Sequence, residues 1–171
     1  RIKMPIISTD IQYRLSGGAG NSDPNAALGG AKSSTSVGAG LHNLFDIVSS
    51  AESSSGDTEY RCVYVHNNHG TLTMQNSVIW IASNTPSADT TIEIALGSSA
   101  INGTEQTIAN ESTAPTGVTF SAPSSFGTAL SIGNIPAGQH KAVWIKRIVN
   151  AAAAAYNSDT ATITVQCDTS A

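Results

Sequence analysis

"RCVYVHNNHGTLTM", residues 61–74, brings a cysteine, a tyrosine and two histidines into nine consecutive positions. It reads either as a ligand cluster or as a strand running into a turn. Extended upstream to "EYRCVYVHN" (59–67), the pattern has a period of two. Tyr60, Cys62, Tyr64 and His66 share one face, and Val63 and Val65 take the other. "NNHG" then supplies turn chemistry. On such a strand Cys62 and His66 stand about 13 Å apart, at about 3.3 Å per residue, too far to share an ion. His66 closes the strand and His69 sits on the turn. Zinc would need a third and a fourth ligand. The stretch is therefore read as strand, polar turn and next strand, with solvent-exposed histidines.

The same rhythm recurs along the chain. Alternation predicts strands over 11–15, 71–75, 77–83, 90–97, 140–149 and 160–167, with shorter or weaker ones at 117–121 and 128–135. Between them lie "NTPSAD", "SSAING", "TAPTG", "SAPSSFG", "NIPAGQ" and "YNSD", all turn-forming clusters. Helical periodicity is confined to one or two turns within 42–54. The alanine run 151–155 is too short to nucleate a helix. The expected fold is all-β: an antiparallel β-sandwich, jelly-roll or immunoglobulin-like, with an extended N-terminal arm or loop. Residues 1–40 would form the arm, the first strand and a Gly/Ser-rich loop, and 41–171 the sandwich body of one domain. Low apolar content over 16–40 predicts a segment that orders only on contact.

The immunoglobulin pattern is incomplete. Cys62, Trp80 and Cys167 have its order, but Val165 stands where a tyrosine is required. Two buried free thiols on neighbouring strands are expected instead. Trp80 and Trp144 lie inside "VIWIA" and "AVWIK" and are expected in the core; exposure of either would favour a sugar-binding face.

Charge excludes several functions. Of 171 residues only 12% are charged, and the net charge is −4, with eight lysines and arginines. That is unsuited to displacing counterions from nucleic acid. The densest basic group, Lys141, Lys146 and Arg147, splits between two strand faces. No apolar run reaches membrane-spanning length. "RIKMPIISTD" is too briefly apolar for a secretory leader, so synthesis in a cytoplasm is expected. There is no GxSxG elbow and no cysteine in reactive spacing with a histidine. Glu52, Glu59, Glu93, Glu105 and Glu111 read as loop or outer-face residues, and no dense carboxylate loop suggests calcium. No enzyme, metal or cofactor is expected.

The phrases "IQYRLSGGAGNSDPNAALGGAKSS", "NLFDIVSSAESSSGDTEYRCVYVHN", "IWIASNTPSADTTIEIALG" and "NIPAGQHKAVWIKR" resemble virion structural proteins of tailed bacteriophages over nearly the whole chain. The resemblance implies a component of the particle, foremost a head decoration (cement) protein. Its partners would be the major capsid protein and copies of itself, as a homotrimer or other homo-oligomer. Its place would be the capsid surface, after synthesis in the host cytoplasm. A tail, collar or fibre-associated β-sandwich, adhesin or carbohydrate-binding module is the alternative. The family offers no site motif to carry over. From the residues themselves, "RIKMPII" (1–7) is apolar with two cations. Ile2, Ile6 and Ile7 are the candidate partner-binding residues: the segment either joins a neighbouring subunit or forms the first strand of its own sheet.

Overall fold

The computed structural model describes residues 5–169. In chain order the elements are β1 (Ile11–Leu15), β2 (Gly29–Gly30), a short helix α1 (Ser50–Ser55), β3 (Asp57–Asn67), β4 (Met74–Ser83), β5 (Thr90–Leu96), β6 (Glu105–Thr107), β7 (Leu130–Ile135), β8 (His140–Val149) and β9 (Thr162–Thr169). All pairings are antiparallel. One sheet has the order β1-β3-β8-β5, a second β7-β4-β9, and β2 pairs with β6 in a two-stranded ribbon. The chain is all-β.

The period-two pattern explains how the sheets stack. On β3 and β8, Val63, Val65, Val143 and Ile145 point one way and meet Ile79, Ile81, Ile132 and Ile135 of the second sheet. Cys62, Tyr64, Ala142 and Trp144 point the other way, into a second apolar cluster with Ile108, Leu28 and Phe120. The four-stranded sheet is thus the middle layer, which is why β3 and β8 are buried on both faces. Burial of the thiol in that second cluster pushes the pKa of Cys62 up.

The segment 16–40 folds back as an ordered layer, not as a free arm. Leu15 N–H donates to Thr35 O (3.0 Å), Val37 N–H to Tyr13 O (2.8 Å), and Cys62 N–H to Ala27 O (2.7 Å). Small side chains let the backbone approach this closely. Gly29 is essential to it: its φ is +93°, and a Cβ there would overlap the Gln106 carbonyl. Backbone hydrogen bonds hold much of the segment down, helped by Ala27, Leu28 and Val37 packing into the two apolar clusters. A composition-based reading cannot see those bonds.

Other departures are local. The strands expected at 71–75 and 77–83 are one strand, β4, bulged around Asn76 (φ 49°). Residues 117–121 contribute only a bridge, in which Ser121 exchanges backbone hydrogen bonds with Ile94 at the β5 edge. The one or two turns expected within 42–54 are α1, which runs one residue further, to Ser55, and begins at a capping box between Ser49 and Glu52. Trp144 is fully buried, but Trp80 is not a core residue: it lies half-buried on the outer face of the second sheet, edge-on to Phe126 (centroids 6.2 Å). β4 is covered on one face only, so the "VIWIA" alternation sends Ile79 and Ile81 inward and Trp80 outward. Cys62 and Cys167 are both free. They do not lie on neighbouring strands: Cys62 belongs to β3 and the second apolar cluster, Cys167 to β9 and the main core.

Candidate functional site

Four places gather chemistry. The first begins with Glu59 and Arg61, which share the Val63 and Val65 face of β3 and lie beyond the apolar core. Arg147 of β8 pairs in register with Glu59. The Arg147 guanidinium binds the Glu59 carboxylate, through Nε at 2.6 Å and through Nη2, and donates to Asp46 O at 2.6 Å. Arg61 reaches Glu111 at 2.5 Å and Asn25 at 3.2 Å. The Phe45 ring faces both guanidinium groups, at 5.3 and 4.9 Å. Glu59 and Arg61 are 1% and 0% exposed, so Glu59 is no outer-face carboxylate. Burial raises the Glu59 pKa against the pull of Arg147 and Arg61. Asp46, Glu59 and Glu111 place oxygens within 4.8 Å of one another, from three distant segments. Two guanidinium groups already occupy the position a cation would take. The cluster is an ion-pair network that ties β3, β8, and the 40–48 and 108–111 segments together.

The second place is an open cleft of about 880 Å³ at the same end of the molecule. Ile92, Ile145 and Ile163 form its floor. Its rim carries Leu41, Ile47 and Tyr156, which are 53%, 70% and 53% exposed. Asp159 sits in its wall, accepting from Ser87 N–H (3.0 Å) and from the Thr90 hydroxyl. Asp46 is half-exposed beside Arg147, the one lysine or arginine among the lining residues.

The third place answers the opening stretch. His69 serves its own turn: Nδ1 accepts from Thr71 N–H (3.1 Å) and Leu72 N–H (2.9 Å). His66 is not solvent-exposed as expected. It is buried, directly across from His140 on β8 and Gln12 on β1, with the two imidazole centroids 6.5 Å apart. Tyr64, in the next row, packs edge-on against His140 at 4.8 Å. Its hydroxyl donates to Gly30 O (2.5 Å) and accepts from Glu105 N–H (2.9 Å), fastening the β2–β6 ribbon to β3. Glu105 is also buried. Burial pushes its pKa up, but hydrogen bonds from Ser99 N–H (2.9 Å) and the Ser98 hydroxyl (2.8 Å) outweigh this, and the pKa falls to about 2.

Burial, reinforced by Lys32, Arg14 and His140, lowers the His66 pKa to about 4. Burial beside Lys32 lowers His140 as well. The native state therefore resists protons that the unfolded chain accepts. The stability this represents is complete above about pH 6.5 and is lost as pH falls towards about 4. Allowing for partial solvent screening, denaturant unfolding should show a loss of about 1–2 kcal/mol between about pH 7 and pH 5. His66→Gln should remove most of that slope. An unchanged slope in the variant would assign the effect elsewhere.

The fourth place is Trp80 with Phe126, the latter 60% exposed, on the outer face of the β7-β4-β9 sheet. It offers an aromatic contact beside Thr164, the cross-strand partner of Trp80.

Of the residues singled out beforehand, Ile6 is half-buried against the main core, and its N–H donates to Thr169 Oγ1 at 3.3 Å. Ile7 is 50% exposed, and Ile2 lies outside the described residues. Residues 5–7 form no strand of their own sheet. The sequence reading missed Glu59, Arg61 and Arg147 as a group, and the rim residues Leu41, Ile47 and Tyr156. The signal for the first was present, since Glu59 and Arg61 sit two apart on an apolar strand face. No described helix is long and apolar enough to cross a membrane. Comparison with family models, with curated proteins and with solved structures gives no match.

Proposed function

We propose that this protein is a structural component of a tailed-bacteriophage particle, a decoration (cement) protein that binds the lattice of major capsid protein on the head surface. The observation that carries the reading is where the polar chemistry goes. The buried carboxylates and guanidinium groups are spent on joining layers, while four of the five large exposed apolar side chains among the described residues, Ile7, Leu41, Ile47 and Tyr156, lie at the two ends of the body. Such a molecule is built to be held by neighbours. The residue likeness to virion proteins and the low charge support the same reading. The strand arrangement supports a jelly-roll body: β3 and β4 pair with β8 and β7, so two antiparallel ribbons wrap across both sheets. Several modest contacts per oligomer would sum to firm attachment.

Quantitative protein analysis of purified particles, together with binding to expanded shells stripped of the protein, tests the proposal. Copy number comparable to the capsid protein and saturable binding to shells are expected. A few copies per particle, with no shell binding, would move the protein to the tail, collar or a fibre. One observation favours that second reading: Trp80 and Phe126 stand on an outer sheet face where a sugar ring could stack. A glycan array probed with wild type and with Trp80→Ala decides it. Glycan binding that the substitution abolishes would favour an adhesin.

A further inference from the structure

Three of the five large apolar side chains exposed among the described residues, Leu41, Ile47 and Tyr156, rim the acidic cleft; a fourth, Ile7, lies in the N-terminal segment. These two features occupy opposite poles. The cleft is built on Thr90, Arg147 and Val149, at the Asp57 end of β3. The N-terminal segment enters at the other end, where Ile11 pairs with Asn67 and Ile6 contacts Thr169. Even the floor residue Ile163 lies six residues along β9 from Thr169, about 20 Å at about 3.3 Å per residue. Residues 1–4, leading from Pro5, span at most about 14 Å when fully extended. The segment cannot reach the cleft of its own chain.

We propose that the cleft receives residues 1–7, "RIKMPII", of a second copy of this chain. The chemistry is complementary. Ile2, Met4 and Ile7 match an apolar floor and rim. Arg1 and Lys3 match a cleft whose wall carries Asp159 and whose one lysine or arginine, Arg147, is already held by Glu59 and Asp46. Because donor and acceptor surfaces differ, the contact is heterologous. It closes into a ring if the rotation per subunit allows, and otherwise propagates head to tail. The contact does not depend on where the protein sits in a particle, so the virion reading can fail without affecting it.

Complementation between two variants tests this. Ile47→Asp spoils the cleft but keeps the segment; Ile7→Asp spoils the segment but keeps the cleft. Both residues are exposed, so each variant should unfold at the temperature of the wild type diluted until it is monomeric, which thermal melts will verify. In sedimentation velocity the wild type is expected to associate with concentration, and each variant alone to be monomeric. An equimolar mixture is expected to form a dimer and nothing larger, because only one of its two contacts is intact. Arg1→Glu with Lys3→Glu should weaken wild-type association at low salt. The proposal is overturned by a wild type that is monomeric up to its solubility limit. It is equally overturned by a mixture that stays monomeric, by association that survives Ile47→Asp, or by a cleft whose only ligand is capsid protein.

Discussion

Arg147→Ala is expected to cost about 3–5 kcal/mol at neutral pH, the usual penalty for stranding a buried charge. Arg147 holds Glu59 through two guanidinium nitrogens, and Glu59 is almost wholly buried. Without Arg147, the nearest cation is Arg61, 3.9 Å away and already engaged with Glu111. Burial raises the Glu59 pKa even in the intact protein. With Arg147 gone the pKa rises further, and the folded state then takes up a proton that the unfolded chain releases. The deficit should therefore shrink as pH falls towards about 5, a slope opposite in sign to the one His66 produces. Glu59→Gln in the same background should recover part of the loss, because a neutral amide needs no counter-charge. Urea unfolding of the three proteins at two pH values measures all of this. A loss under about 1 kcal/mol for Arg147→Ala would show the network to be solvated and weak, as exposed ion pairs are.

Trp144→Ala should be comparably severe, at about 3–5 kcal/mol. The indole is fully buried between β3, β5 and the covering ribbon, with Cys62, Tyr64, Ala95 and Ile108 in the same cluster. Removing it leaves a cavity on the outer face of the middle sheet and loosens the layer formed by 16–40 and β6. Its Nε1–H is buried with no acceptor among the described residues. Trp144→Phe therefore relieves an unsatisfied donor while shrinking the ring, and should cost less than about 1.5 kcal/mol. Equal losses for the two variants would mean that the indole nitrogen has a partner, such as a buried water. Trp80→Ala, on the half-exposed face, should fall well below Trp144→Ala, which separates the two tryptophans by role.

Read with its period of two, "EYRCVYVHN" by itself determined that β3 is a strand with two chemically distinct faces. The same pattern placed β1, β5, β7, β8 and β9 to within a few residues, and with them the all-β class. Alternation is a local property: each residue's face follows from the pleat, whatever the partner strand. The strand's neighbours are another matter. Whether a face meets a sheet, a ribbon or solvent depends on residues far away in the chain. Trp80 and Trp144, in almost identical apolar runs, therefore went opposite ways, one outward and one into the core. Glu59 and Arg61 carry a hint of pairing in their spacing, but Arg147, Asp46 and Glu111 join them only through antiparallel register and loop closure. His66 sat in plain view, yet its partner was not His69, three residues on, but His140, seventy-four positions away on β8. The ordering of 16–40 was invisible for the same reason. Glycine and serine backbones are held there by carbonyls and amides that only the folded chain brings within reach.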